Sequence, residues 1–163
     1  MKPASWLTAC VSLIALAAVT GCGGPKPPDE MIYYSMTQNG TPAQRDVKIV
    51  PGGEADVNVD VWELSEQKDL SKPLKKDEKP LPPTKTAKMP KADFVAMWKA
   101  FPKGFWKLHD MKNEGAPSTA PSYRIELIYP GHHLNIVVDN PEQQQDKTAW
   151  QIIQAANKAA GVQ

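Results

Sequence analysis

His109, His132 and His133 are the three imidazoles of a 163-residue chain, and with Asp110 and Asp139 they form the one constellation that could ligate a metal or serve as a hydrolytic base. Any metal-dependent or general-base chemistry should run through them. His132 and His133 are neighbours in an alternating run. Adjacent side chains of a regular strand leave on opposite faces, so both reach one ion only if the strand bends. On paper, Ser118 or Ser122 combines with these groups into a Ser-His-Asp set. Neither serine sits in a Gly-x-Ser-x-Gly elbow, and Ser118 lies within Gly115-Ala116-Pro117-Ser118-Thr119-Ala120-Pro121, a loop composition. The sequence has no Walker loop, dinucleotide fingerprint or zinc-helix motif. The primary reading is a non-enzymatic protein without a cofactor. The alternative is a His-dependent hydrolase or metal-binding enzyme using His109, His132 and His133.

Phe105 and Trp106, in Pro102-Lys103-Gly104-Phe105-Trp106-Lys107-Leu108, are the other residues of note. An aromatic pair beside a glycine serves either as an exposed anchor for a partner protein or as a chain return whose rings close the core. Lys72, Lys75, Lys76, Lys79, Lys85 and Lys88 are interspersed with acids and prolines, and the chain balances 19 Lys+Arg against 18 Asp+Glu. No nucleic-acid partner is expected from that balance. The two cysteines, Cys10 and Cys22, both fall in the first 22 residues, which excludes a disulfide framework or a thiolate zinc site in the remainder.

Those first residues read as an address. Lys2 supplies a positive start, and the run Trp6 to Val19 is almost wholly apolar. At 1.5 Å per residue, about 14 residues cover about 21 Å, short of a hydrocarbon core of about 30 Å. The segment is therefore a secretory signal and not a membrane span. Val19-Thr20-Gly21-Cys22 resembles the bacterial lipobox, with Val in place of the commoner Leu. The resemblance to bacterial lipoproteins covers only residues 1–22. It implies cleavage before Cys22, a diacylglyceryl thioether on that sulfur and attachment to the membrane through N-terminal acyl chains. Gly23 after the lipidated position implies outer-membrane delivery in a two-membrane bacterium. A simple secreted protein is the competing reading. After cleavage the chain keeps 18 basic and 18 acidic residues, so its net charge gives no attraction to anionic lipid.

Residues 22–30 form a Pro/Gly tether, and residues 31–163 a single domain interrupted by a Lys/Pro-rich stretch, 65–90, expected to be a mobile surface loop. That stretch is either a solvated connector or an arm that docks on an acidic surface or a glycan. Strands are expected over Met31 to Thr37, Asp46 to Val50 and Ala55 to Leu64, the last with Val57, Val59 and Val61 on one face and Asp56, Asn58 and Asp60 on the other. Tyr123, Ile125, Leu127 and Tyr129 alternate likewise, and after Pro130-Gly131 so do Leu134, Ile136 and Val138, which specifies a hairpin with a type II turn or a slightly longer loop. One helix follows Pro90, with the stripe Phe94, Met97, Trp98 and Phe101, and stops at Pro102. A second has Asp146 or Asn140 as its capping residue, the stripe Ala149, Ile152, Ile153, Ala156 and Ala160, and Gly161 as its stop. The sum is an α+β domain: an antiparallel sheet of about five strands with two helices on one face. Trp98, Phe101, Phe105, Trp106 and Trp150 are its expected large core anchors.

The order and spacing of these elements loosely resemble the emfourin-type small protease inhibitors of bacteria. The shared features are two early strands, the Phe94/Met97/Trp98 helix, a Phe-Trp-x-Leu return at Phe105, Trp106 and Leu108, a Pro-x-Tyr-x-Ile strand at Pro121, Tyr123 and Ile125, a glycine hairpin and a closing helix. The resemblance implies a protein-binding or protease-restraining module in the cell envelope. It transfers no inhibitory residue, and the Lys/Pro insertion departs from the compact pattern. A structural envelope component is the remaining alternative.

Overall fold

A computed structural model describes residues 29–52, 55–68, 70, 77–111 and 120–162. The signal segment, Cys10, Cys22, the tether through Pro28 and Ser118 lie outside the described residues. The strands are β1 (Met31–Thr37), β2 (Gln44–Pro51), β3 (Asp56–Leu64), β4 (Lys85–Pro90), β5 (Ser122–Tyr129) and β6 (His132–Asp139), and the helices are α1 (Lys91–Ala100) and α2 (Thr148–Ala160). All strand pairs are antiparallel, and the six run in the order β4-β3-β2-β1-β5-β6. The α+β class is as expected. The sixth strand is not.

That extra strand is β4, the last six residues of the stretch 65–90 read as a mobile loop. Lysine- and proline-rich composition hides a strand whose main requirement is backbone pairing with β3. Ala87 stands opposite Val59, and Met89 opposite Val57, so its two apolar side chains face the core. Lysines and a terminal proline suit a sheet edge, where they discourage pairing with another chain. Described parts of the preceding stretch are also bonded to the sheet. Trp62 Nε1 donates to the Leu81 carbonyl at 2.9 Å, and the Glu63 amide to Thr84 Oγ1 at 3.1 Å.

Period-two alternation places Ile32, Tyr34, Val47, Ile49, Val57, Val59, Val61, Ile125, Leu127 and Ile136 on one buried face. Both helices cover that face, α1 through Phe94, Met97 and Trp98, and α2 through Ala149, Ile152, Ile153, Ala156 and Ala160. Fully burying each large aliphatic side chain contributes about 1.5–3 kcal/mol, so this layer dominates stability. Pro90 occupies the N-cap of α1, and Phe101 follows its last turn. Asp146 Oδ1 accepts the Thr148 amide at 2.8 Å at the start of α2, and Gly161 ends it in the left-handed region at φ 61°. Asn140 instead holds a turn before the helix, also left-handed at φ 47°. The β5–β6 hairpin has a two-residue loop, with Tyr129 opposite His132 and Gly131 at φ 81°, as a type II turn requires at its third position. Trp150, Phe105 and Trp106 are half-buried at the rim of the core, not fully enclosed anchors.

Candidate functional site: the open face of the sheet

The face away from the helices carries the polar residues of the same strands. Tyr33, Ser35 and Thr37 from β1, Gln44 and Asp46 from β2, and Ser122 and Arg124 from β5 lie on it together by register. In that half of the sheet all of these but Asp46 floor a cavity of about 300 Å³, walled by Gln67, Lys68 and Leu70, which follow β3, and by Val137 of β6. Lys68 is fixed there because its amide donates to Gln44 Oε1 at 2.5 Å. Arg124 Nε donates to Asn135 Oδ1 at 3.3 Å and Ser122 Oγ to Asp139 Oδ1 at 2.7 Å, which sets both β5 side chains against β6.

Asp46, wholly inaccessible to solvent, adjoins this floor. The Tyr33 hydroxyl donates to its Oδ1 at 2.9 Å, and Gln44 Nε2 to its Oδ2 at 2.6 Å. Burial pushes the Asp46 carboxyl above the usual carboxylate range. Hydrogen bonds from Ser35, Tyr33 and Gln44 pull it part of the way back. Burial also raises the Tyr33 phenol, the adjacent Asp46 charge adds to that, and Tyr33 stays a neutral donor. Both carboxylate oxygens are thus engaged by side chains of the floor, and Asp46 holds the cavity's donors in place.

The histidines do not converge. His132 projects on the helix side, where its ring stacks on Trp106 with centroids 4.6 Å apart and planes 19° from parallel. His133 projects on the open face and meets Glu126 Oε1 at 2.9 Å, as the opposite-face argument requires. His109 is exposed on the segment before Met111, and the neighbouring Asp110 accepts the Val137 amide at 2.9 Å. Met111 bonds to β6 as a short parallel bridge, covering part of that edge. Among the described residues no group of three His, Cys, Asp or Glu side chains is placed to hold a metal. Ser122 and Asp139 meet, with the Ser122 hydroxyl donating to the carboxylate.

Phe105 and Trp106 occupy a single 3-10 turn, Phe105–Lys107, entered through Gly104 at φ 88°. Their rings lie 4.2 Å apart and join Trp98, Phe101, Tyr129 and His132 in one aromatic cluster beside the β5–β6 turn. Trp106 stacks on Trp98 at 5.9 Å, and both Trp106 and Phe105 keep part of their surface in solvent. The pair therefore closes the rim of the core while leaving part of each ring in solvent.

Sequence reasoning did not single out Tyr33, Ser35, Gln44, Asp46, Lys68 or Arg124. One signal was present: Gln44 and Asp46 share a face in a strand whose other face is Val47 and Ile49, which puts a carboxylate beside Tyr33 and Ser35 once the first two strands pair. No family model, curated protein or solved structure matches this chain.

Proposed function

We propose that this chain is a lipid-anchored lipoprotein of a bacterial envelope, held through acyl chains on Cys22, whose α+β domain binds a protein partner and catalyses no reaction. The open-face cavity is the observation that supports this reading. It combines hydroxyls and amides with two cations, Arg124 and Lys68, at its border. A volume of about 300 Å³ suits one or two side chains of a partner, and an acidic side chain or a chain-terminal carboxylate would gain charge-assisted hydrogen bonds there. Restraint of a protease is a special case in which the inserted segment belongs to the protease.

A buried carboxyl of raised pKa beside a cavity is also a mark of hydrolytic sites. The placement of Asp46 argues against that use here, since Tyr33 and Gln44 occupy its two oxygens. Binding is tested by fluorescence anisotropy with a labelled peptide ending in Glu-Glu against one ending in Gln-Gln amide. The acidic peptide should bind at least tenfold tighter, and Arg124→Gln with Lys68→Gln should remove the difference. Equal affinities would end the reading. The anchor is tested separately by fatty-acid labelling of the chain and of Cys22→Ala, with label expected only on the former.

A further inference from the structure

The end of the sheet from which the tether departs is built differently from the rest of the surface. Met31 stands opposite Ile128, Pro51 opposite Val57 and Asp56 opposite Pro90. The start of β1, the β5–β6 turn at Tyr129 to His132, the β2–β3 turn and the start of α1 therefore lie at one end. From Pro90 at the β4 edge, α1 crosses this end until Trp98 reaches Tyr129, ring centroids 5.2 Å apart. Of the three exposed large hydrophobic residues among the described ones, Val95 on α1 and Tyr129 at the turn are both here. The half-buried rings of Phe105 and Trp106 pack beside Tyr129 and His132 at the same turn.

Charge follows the same division. The whole mature chain is neutral, yet residues 91–107 carry Lys91, Lys99, Lys103 and Lys107 against Asp93 alone, and all four lysines are exposed. Asp29 and Glu30 at the entry to β1, and Asp56 with its partner Lys88 at 3.5 Å, lie at the same end, so the basic excess is confined to the α1 ridge and the turn after it. Half-buried tryptophan and exposed tyrosine rings flanked by lysines are the composition that settles at the headgroup level of a bilayer, rings in the interface and ammonium groups on phosphate.

We infer that this aromatic and basic end is a lipid-docking surface, seated on the headgroups of an anionic bilayer. The inference rests on the anchor at Cys22 for its geometry. The seven residues from Cys22 to Pro28 span at most about 25 Å even when fully extended, so the end where β1 begins is the one held against the membrane. Seated this way, the domain turns its open-face cavity away from the lipid. Ser122 and Thr37 lie at the far end of β5 and β1, and seven residues along β5 separate Ser122 from Tyr129, about 24 Å of strand.

The experiment is paramagnetic relaxation enhancement measured by NMR on the acylated chain in nanodiscs containing phosphatidylglycerol and a gadolinium-chelating lipid. Amides of Val95, Phe105 to Lys107 and Gly131 to His132 should relax at least threefold faster than those of Gln38 to Thr41 and Ala43 at the opposite end. Lys103→Glu with Lys107→Glu, both exposed, should cut that ratio by at least half without changing the melting temperature. A uniform or reversed gradient, or one the double variant leaves intact, would overturn the docking surface. A chain found by intact mass to carry no lipid would overturn the anchor reading instead. Docking is then judged on the chain with Cys10→Ser and Cys22 coupled to a maleimide lipid, by the same gradient.

Discussion

The Tyr33 hydroxyl donates to Asp46 Oδ1 across 2.9 Å and thereby joins β1 to β2 beside the floor of the open-face cavity. Its partner carboxyl is buried, and burial without a countercharge disfavours the ionised form. The folded-state pKa of Asp46 therefore lies above its unfolded value of about 3.9. A raised pKa means the folded protein binds the proton more tightly. The stabilisation from Asp46 is complete below the unfolded value and is lost as pH rises through the folded one.

Asp46→Asn removes this titration. The melting temperature of the parent minus that of the variant should become more positive as pH falls from 7 to 4, read from paired thermal melts. A difference that stays flat would show that Asp46 is no more buried in solution than a surface acid.

The helix-facing half of the fold was legible because Val57, Val59 and Val61, or Tyr123, Ile125 and Leu127, alternate with polar residues whatever their partners. The cavity was not. Tyr33, Ser35, Gln44, Asp46 and Arg124 belong to three strands, and a polar residue on the wet side of a strand reads the same whether water or Lys68 covers it. β4 was hidden for a related reason: Lys85-Thr86-Ala87-Lys88-Met89-Pro90 has a loop's composition, and its conformation comes from pairing with β3. Phe105 and Trp106 stood out as a pair, but their meeting with Tyr129 and His132 depends on the path of α1.

Trp106 and His132 stack at 4.6 Å, far apart in sequence and both partly in solvent. A double-mutant cycle with Trp106→Ala and His132→Ala should give a coupling of about 0.5–1.5 kcal/mol in urea unfolding, the range for aromatic pairs beyond area burial. Trp106→Ala alone should cost more than His132→Ala, because Trp106 also contacts Trp98 and Phe105. Additive single effects would mean that the rings are adjacent without interacting.

Tyr34 reaches from the centre of the sheet to α2, where its hydroxyl donates to Asn157 Oδ1. Burial lifts the phenol well above its ordinary pKa, so it stays a donor through the alkaline range. Tyr34→Phe keeps the ring and deletes the donor, leaving the Asn157 carbonyl short of a partner. The expected loss is about 1–2 kcal/mol by denaturant titration. Native fluorescence of Trp150, whose ring meets Tyr123 beside Tyr34, should be preserved.

Lys85 leaves the edge strand on the helix-facing side, and its Nζ donates to the carbonyls of Ala160 at 2.8 Å and Gly161 at 3.1 Å. A helix leaves its last carbonyls without intrahelical partners and concentrates partial negative charge there. One ammonium therefore caps α2 and fastens it to β4. Lys85→Met retains the aliphatic stem but removes the cap, and should cost about 1 kcal/mol, with the loss reduced by salt in the parent and not in the variant. Gly161→Ala attacks the same corner from the other side. Its φ of 61° disfavours any Cβ, and an added one would lie 3.0 Å from Lys85 Nζ. The two substitutions should be less than additive, since displacing the ammonium is part of the damage in each. Hydrogen exchange should then speed up in the last turn of α2 and along β4 while β1 and β5 keep their protection. Uniform loss across the sheet would mean that the corner is not a local fastening.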